Sequence, residues 1–212
     1  IVDSFDSAAT AATGKVVLGA GVTGTLETAK YNLSVNIVFN NIAENQVKAY
    51  QQMKAVISGG DLTDDIVIDL GSDAGTGVVY NQYFGNTAEY KFGAELSENE
   101  TYTVTVSGAG YRTARYTVNM TGDKTLNFWN NVKSTAECIE AGVGTPKTSN
   151  FLAGDIVKDN KINIYDLSAV VSYFGVSGLD AANHPEYAQY DLNRDGKIDS
   201  RDVAYVLVSW DN

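Results

Sequence analysis

Apolar and polar residues alternate along most of the first 130 positions. Segments 31–39, 66–70, 101–106, 116–120 and 125–129 place Val, Ile, Leu, Tyr, Phe or Trp at every second position. That period puts one face of an extended strand toward a core and the other toward water. Clusters of Gly, Asn and Asp at 58–61, 71–75, 107–110 and 121–123 separate the segments and supply turn residues. The pattern predicts an immunoglobulin-like antiparallel β-sandwich over residues 15–130. The stretch from Glu44 to Ile57 fits helix or strand equally well. Further on the period changes. Leu167, Val170, Val171 and Phe174 recur at i, i+3, i+4 and i+7, and Val203, Val206, Leu207 and Trp210 repeat that spacing. Two amphipathic helices are predicted there, with both stripes as core. The fold class is α+β and multidomain: a β-sandwich over 15–130, a connector over 131–153 and a small all-α unit over 154–212. Residues 1–14 read as a flexible lead-in, 137–141 as a short helical turn and 144–150 as linker. Phe151 and Leu152 are expected to seat the last unit on the sandwich.

The region just before each predicted helix carries the chemistry. One copy reads Asp155, Val157, Asp159, Asn160, Lys161, Ile162, Asn163 and Asp166 at positions 1, 3, 5, 6, 7, 8, 9 and 12 of a twelve-residue loop. The other reads Asp191, Asn193, Asp195, Gly196, Lys197, Ile198, Asp199 and Asp202 at the same positions, an offset of 191 − 155 = 36 residues. Ca²⁺ is a hard cation that prefers carboxylate and carbonyl oxygens, and this spacing wraps a loop around it. The candidate ligands are Asp155, Asp159, Lys161, Asn163 and Asp166 for one ion, and Asp191, Asn193, Asp195, Lys197, Asp199 and Asp202 for a second. The two lysines would contribute only their backbone carbonyls. Ile162 and Ile198 should point inward and tie the loops together. Val157 cannot ligate, so a carbonyl or water must take position 3 of the first loop. Asn160 replaces Gly at position 6, where a positive φ is needed, and Asn tolerates that best among the other residues. Each unit is a loop plus a following helix, because only a short helix opened by Pro185 fits before the second loop.

Charge agrees with this reading. The net charge is −11. Counting from Gly154 onward gives 5 basic and 10 acidic residues, so −5 falls on the last unit. Two Ca²⁺ would bring that to −5 + 4 = −1. The acidity argues against nucleic acid and anionic membranes as partners. A single cysteine, Cys138, excludes an internal disulfide, and with His184 it falls short of a structural zinc set. No apolar run is long enough to span a bilayer. The start at Ile1 without a signal peptide reads as a fragment or mature piece. Weak extracellular-type calcium loops suit a secreted, cell-surface setting.

The doubled half-hand, with Asp rather than Glu at position 12, resembles a dockerin, the plug module of cellulosomes. The run Gly154-Asp-Ile-Val-Lys-Asp-Asn160 followed by Ile162 and Asn163 is similar to the first loop of type II dockerins. Upstream, residues 102–111 and 118–123 look like strands of the X module that precedes such dockerins. The resemblance implies an X-module–dockerin dyad of a scaffoldin. Its partner would be a type II-like cohesin of another scaffoldin or of a cell-surface anchoring protein. It also implies that loop positions 10 and 11 and the outer helix faces meet the cohesin. Those positions are Ile164, Tyr165, Ser168, Ser172 and Tyr173 in copy one, and Ser200, Arg201, Ala204, Tyr205 and Val208 in copy two. The alternative is that these side chains pack on the sandwich or the connector. The Ile-Tyr against Ser-Arg mismatch between copies predicts one preferred docking orientation.

Three rival readings follow from the residues. Catalysis would need facing carboxyls or a triad, but Asp64, Asp65 and Asp69 lie without a supporting motif and His184 sits against Pro185. Sugar binding, in a carbohydrate-binding sandwich with a dockerin tail belonging to a polysaccharide-degrading enzyme, would use Trp129, Tyr80, Tyr83, Phe84 and Tyr90. A calcium sensor would need complete helix–loop–helix hands.

Overall fold

A computed structural model describes residues 28–40, 53–69, 79–84, 87–130, 151–179 and 183–211. The expectations for 1–14, 71–75, 137–141 and 144–150, and Cys138, lie outside these residues, as do the side chains of Tyr80, Tyr83 and Phe84.

Among the described residues, two four-stranded sheets form the first unit. Its strands are β1 (Lys30–Asn40), β2 (Lys54–Gly59), β3 (Ile66–Asp69), β4 (Val79–Phe84), β5 (Thr87–Ser97), β6 (Thr101–Gly108), β7 (Tyr111–Asn119) and β8 (Lys124–Trp129). One sheet runs β4-β5-β1-β8 and the other β3-β2-β6-β7. Leu33, Val35, Ile37 and Phe39 of β1 face Tyr102, Val104 and Val106 of β6 across a fully buried core. These are the positions that the two-residue period assigns inward. One feature departs from the expected antiparallel sandwich: β8 runs parallel to β1, pairing Leu33 with Lys124 through Val38 with Trp129. Periodicity fixes which face is buried but not strand direction, and β8 reaches β1 by leaving the opposite sheet. The ambiguous stretch ends as strand, with Lys54–Gly59 pairing both β3 and β6.

Two nine-residue helices, α1 (Ile164–Ser172) and α2 (Ser200–Val208), make up the second unit with a short 3₁₀ turn at Pro185–Tyr187. The expected helix stripes are only partly core. Val170 and Val206 are fully buried, and Leu167, Val203 and Trp210 are half-buried, but Val171, Phe174 and Leu207 are more than half exposed. The reason is length. Each helix makes two and a half turns and covers its partner along a single line, so i+4 side chains fall on the rim, and Phe174 lies past the end of α1.

The segment that enters the second unit is fixed to the sandwich. Phe151, fully buried, meets Phe39 and Tyr111 with ring centroids 5.2 and 5.6 Å away. The Arg112 N–H donates to the Leu152 carbonyl at 2.8 Å, and the Gly154 N–H donates to the Gly110 carbonyl at 2.8 Å. Phe151 and Leu152 thus seat the second unit as expected.

Candidate metal centre and docking face

The two loops repeat one hydrogen-bond scheme. At position 12, Asp166 Oδ1 accepts from the Ile156 and Val157 N–H groups, and Asp202 Oδ1 from those of Leu192 and Asn193. Their Oδ2 atoms accept from the N–H of position 9, Asn163 at 2.9 Å and Asp199 at 2.8 Å. In return the position 9 side chains accept from Tyr165 and Arg201 N–H groups, which closes a capping box at the start of each helix. Position 5 behaves alike, with Asp159 and Asp195 accepting from Lys161 and Lys197 N–H groups. The same residues that suit a cation therefore also start the helices. Ionised carboxylates have about four lone-pair directions, so N–H acceptance leaves room for a metal bond.

Backbone conformation follows the repeat too. Position 6 is left-handed in both loops, at φ 67° for Asn160 and 83° for Gly196, as the sequence requires. Position 4 is left-handed as well, at φ 60° for Lys158 and 58° for Arg194. Ile162 and Ile198 are fully buried.

Burial weighs against ionisation of the loop carboxylates. Burial pushes the Asp191 carboxyl up to about 7, with Asp202 adding to the shift. Burial likewise pushes Asp202 up to about 6 and raises Asp155. Asp155 Oδ1 is buried without a hydrogen-bond donor. Lys158 beside Asp155 and Arg194 beside Asp191 offset part of the burial, yet both carboxyls stay above their ordinary range, and one oxygen is orphaned. The donor set is all oxygen, with neither thiolate nor imidazole, which selects a hard ion. In donor type the residues fit Ca²⁺, while among the described residues no three carboxylates stand gathered as a metal-holding group. Val157 is exposed and turned from the loop interior, so position 3 of the first loop has no side-chain oxygen.

Antiparallel helices set the outer face. The Gly175 N–H donates to the Ile198 carbonyl, and the Asp211 N–H to the Ile162 carbonyl. The end of each helix thus meets the start of the other. Ile164 and Tyr165 therefore share one end with Leu207 and Val208. All four are exposed, Tyr165 and Val208 most strongly at 69% and 70%. Ser200 and Arg201 share the other end with Ser172, and Arg201 is drawn to Asp195 at 2.8 Å. Ser168 and Ala204 are exposed between the two ends. Two of the partner candidates are placed differently. Tyr173 is half-buried against Tyr190 and Tyr187, with centroids 4.3 and 5.2 Å away. Tyr205 is half-buried between the units, its phenol pushed up by burial, with Tyr111 and Asn130 beside it. Tyr205 thus packs toward the sandwich, and Tyr173 packs on the 3₁₀ turn of its own unit, which is neither sandwich nor connector.

Several contacting groups escaped the sequence reading. Arg112 of β7 pairs with Asp211 at 2.5 Å, and the same carboxylate accepts from the Ile162 N–H at 2.7 Å. Burial works against that carboxyl, but the Ile162 N–H and Arg112 prevail and hold it below the usual range. Lys158 and Arg194 reach carbonyls of the β6–β7 turn. A signal for this last pair was present, since both loops carry a basic residue at position 4.

Residues 153–207 match the family model described as Dockerin type I domain. The chain is similar in structure to a chain of an N-terminal interface mutant of the type II cohesin–X-dockerin complex from Acetivibrio cellulolyticus. The identity is 22% over 86% of this chain and 96% of that chain, with a TM-score of 0.51. A C-terminal interface mutant of the same complex matches at 19% identity over 85% of this chain and 96% of that one, with a TM-score of 0.49. No curated protein matches the chain. In fold, the chain is similar to that X-dockerin chain, a β-sandwich followed by a paired loop–helix unit whose residues 153–207 match the dockerin model.

Proposed function

We propose that this chain is a non-catalytic, calcium-dependent docking module that binds a type II-like cohesin and thereby joins or anchors a secreted cellulosome. The observation that carries the reading is the exposed apolar end formed by Ile164, Tyr165, Leu207 and Val208 on the outer side of two helices. An apolar cluster on a small unit, beside polar Ser and Arg positions, has the composition of an interface core with a polar rim. Asp155, Asp159, Asn163 and Asp166, with the Lys161 carbonyl, would hold one ion. Asp191, Asn193, Asp195, Asp199 and Asp202, with the Lys197 carbonyl, would hold the other. When bound, Ca²⁺ supplies the positive charge that lets the converging carboxylates stay ionised. The protein's own share is to hold the oxygens in place through the position 9 and 12 hydrogen bonds and to start each helix from its loop.

Because the two ends of the face differ, one docking orientation is favoured. The sandwich braces the plug through Phe151, Tyr111 and Arg112. The sugar-platform reading loses Tyr90, which is 4% exposed and packs edge-on to Phe39. Calcium-dependent capture of the chain by a panel of immobilised cohesins tests the proposal. Binding to a type II cohesin, lost in EGTA and weakened at least tenfold by Tyr165→Ala with Val208→Ala, is expected. Undiminished binding in EGTA, or no capture by any cohesin, would overturn it.

A further inference from the structure

The β6–β7 turn of the sandwich lies against both loops at once. Gly110 accepts from Gly154, the residue just before the first loop. The Tyr111 hydroxyl donates to the Leu192 carbonyl at position 2 of the second loop, at 3.1 Å. Two cations complete the contact, and they occupy equivalent places. Lys158, at position 4 of the first loop, donates its Nζ to the Gly108 carbonyl and to the Tyr111 carbonyl at 2.6 Å. Arg194, at position 4 of the second loop, is 3% exposed and donates to the carbonyls of Ala188 and Ala109. Its guanidinium carbon also lies 5.9 Å from the centre of the Tyr111 ring. In a loop whose odd positions turn toward the ion, position 4 turns away from it. Both residues have left-handed backbones, which carries each side chain out of its loop and into the sandwich.

We propose that Lys158 and Arg194 are positioning residues that lock each calcium loop to the β6–β7 turn, so that ion binding and the docking of sandwich on plug are thermodynamically linked. The inference rests on the calcium reading above. A loop held at position 4 by the sandwich has less freedom to lose when positions 1, 3 and 5 close on an ion. By reciprocity, an ion that fixes the loop fixes the cation on the turn. The sandwich then serves as part of the calcium site without supplying a ligand.

Simple charge makes the opposite prediction, which gives the test its discrimination. Lys158 lies close enough to Asp155, and Arg194 to Asp191, to oppose an incoming divalent cation. By Coulomb's law alone, removing the two cations should tighten calcium binding. If they act as locks, removal should weaken it. The experiment titrates Ca²⁺ into the full chain and into Lys158→Met/Arg194→Met by calorimetry. Lys161→Met/Lys197→Met serves as comparison, because it removes the same charge from the same loops at exposed side chains. A second measurement needs no variant. Amide resonances of Gly108, Ala109, Gly110 and Tyr111 in the unaltered chain are followed through the titration.

The expected result is an affinity about tenfold lower for the position 4 variant, within the range of ordinary coupling free energies, while the position 7 variant binds more tightly. The turn amides should shift with the same midpoint as ion binding. Calcium binding by the unaltered chain with no shift at those amides overturns the inference, and so does a position 4 variant that binds as tightly or more tightly. A chain that binds no calcium at all would instead bring down the proposed function itself, and this inference with it.

Discussion

Gly110 is the sharpest single test of how the two units are joined. It sits at φ +78°, a conformation that L side chains rarely adopt. An added Cβ would lie 2.5 Å from the Gln189 carbonyl oxygen and 2.8 Å from Leu192 Cδ2. The first of these is backbone, which cannot rotate out of the way. Gly110→Ala therefore carries two costs: about 1–2 kcal/mol for a left-handed alanine and about 1–3 kcal/mol for overpacking a closed contact. The sum is near 3 kcal/mol, a large part of the roughly 5–15 kcal/mol that holds a domain folded. For a chain of this size the melting point should fall by about 6–12 °C. Gly122→Ala provides the control, since a Cβ there meets nothing within 4 Å and its φ is ordinary. It should stay within about 0.5 kcal/mol of the unaltered chain. Denaturant unfolding followed by tryptophan fluorescence reads both variants, with Trp129 on the sandwich and Trp210 on the plug. Hydrogen exchange at the Gly154 amide adds a local probe, because that N–H donates to Gly110. If Gly110→Ala matched Gly122→Ala in midpoint and left Gly154 equally protected, the two units would not be in contact as described.

Other consequences can be checked alongside. In EGTA, Asp191 near 7 and Asp202 near 6 stand above their unfolded values. The folded plug then holds more protons than the unfolded chain, so its stability should fall as pH rises from about 4 to 7. A helical melting midpoint in EGTA that is no higher at pH 5 than at pH 8 would contradict this. With calcium present the order should reverse, as protons compete with the ion for the same oxygens, and calorimetric affinity should drop below pH 7. Chelation should lower the helical melting midpoint while the sandwich transition persists; equal helical midpoints with and without the ion would count against coupling of ion binding to folding. Asp166→Ala removes the acceptor of three backbone N–H groups and should destabilise the plug by about 2–4 kcal/mol, read by unfolding with saturating calcium. A double-mutant cycle on Arg112 and Asp211, whose side chains are partly open to water, should return a coupling of only about 0.5–1 kcal/mol at low salt, fading as salt rises.

Different parts of the chain were legible to different degrees, and the reasons are physical. The sandwich core was readable because burial on one face of a strand repeats every second residue, from Leu33 through Phe39 and from Tyr102 through Val106. The parallel pairing of β1 with β8 was hidden, since strand direction leaves no mark in that period. The loops were the most legible element of all. Their side chains bond within twelve residues, so Asp, Asn and Gly positions carry the geometry directly, down to the left-handed backbone at Asn160. The helix stripes misled at Val171, Phe174 and Leu207. A short helix can bury only the line along its one neighbour, yet the moment of the sequence weighs every apolar residue alike. The half-burial of Tyr205 and Tyr173 left no mark in the sequence for the opposite reason. Their burial is set by the sandwich and by the 3₁₀ turn, and neither neighbour is near in sequence.

The repeat also explains why the face has two unlike ends. Position by position, the two copies share Asp at positions 1, 5 and 12 and Ile at position 8, and differ at positions 3, 6 and 9 and again at 10 and 11. Asp166 and Asp202 accept the same N–H groups, and Ile162 and Ile198 fill the same space. Ile164 and Tyr165, by contrast, stand opposite Ser200 and Arg201. Antiparallel helices bring the start of one copy beside the end of the other, so this difference is not averaged along the face. It adds to the second difference, Ser172 against Val208. The apolar members Ile164–Tyr165 and Val208 fall at one end and the polar members Ser200–Arg201 and Ser172 at the other, where Val171 and Phe174 are the exposed apolar side chains. A partner turned by 180° would set its apolar contacts on Arg201 and leave Tyr165 and Val208 in water. Each exchanged apolar side chain costs about 1.5–3 kcal/mol of lost burial, so three of them suffice to make the reversed pose a minor one. Crosslinks from Tyr165 and from Arg201 to defined cohesin positions decide the point, and equal yields for both registers would show that the two ends are equivalent after all.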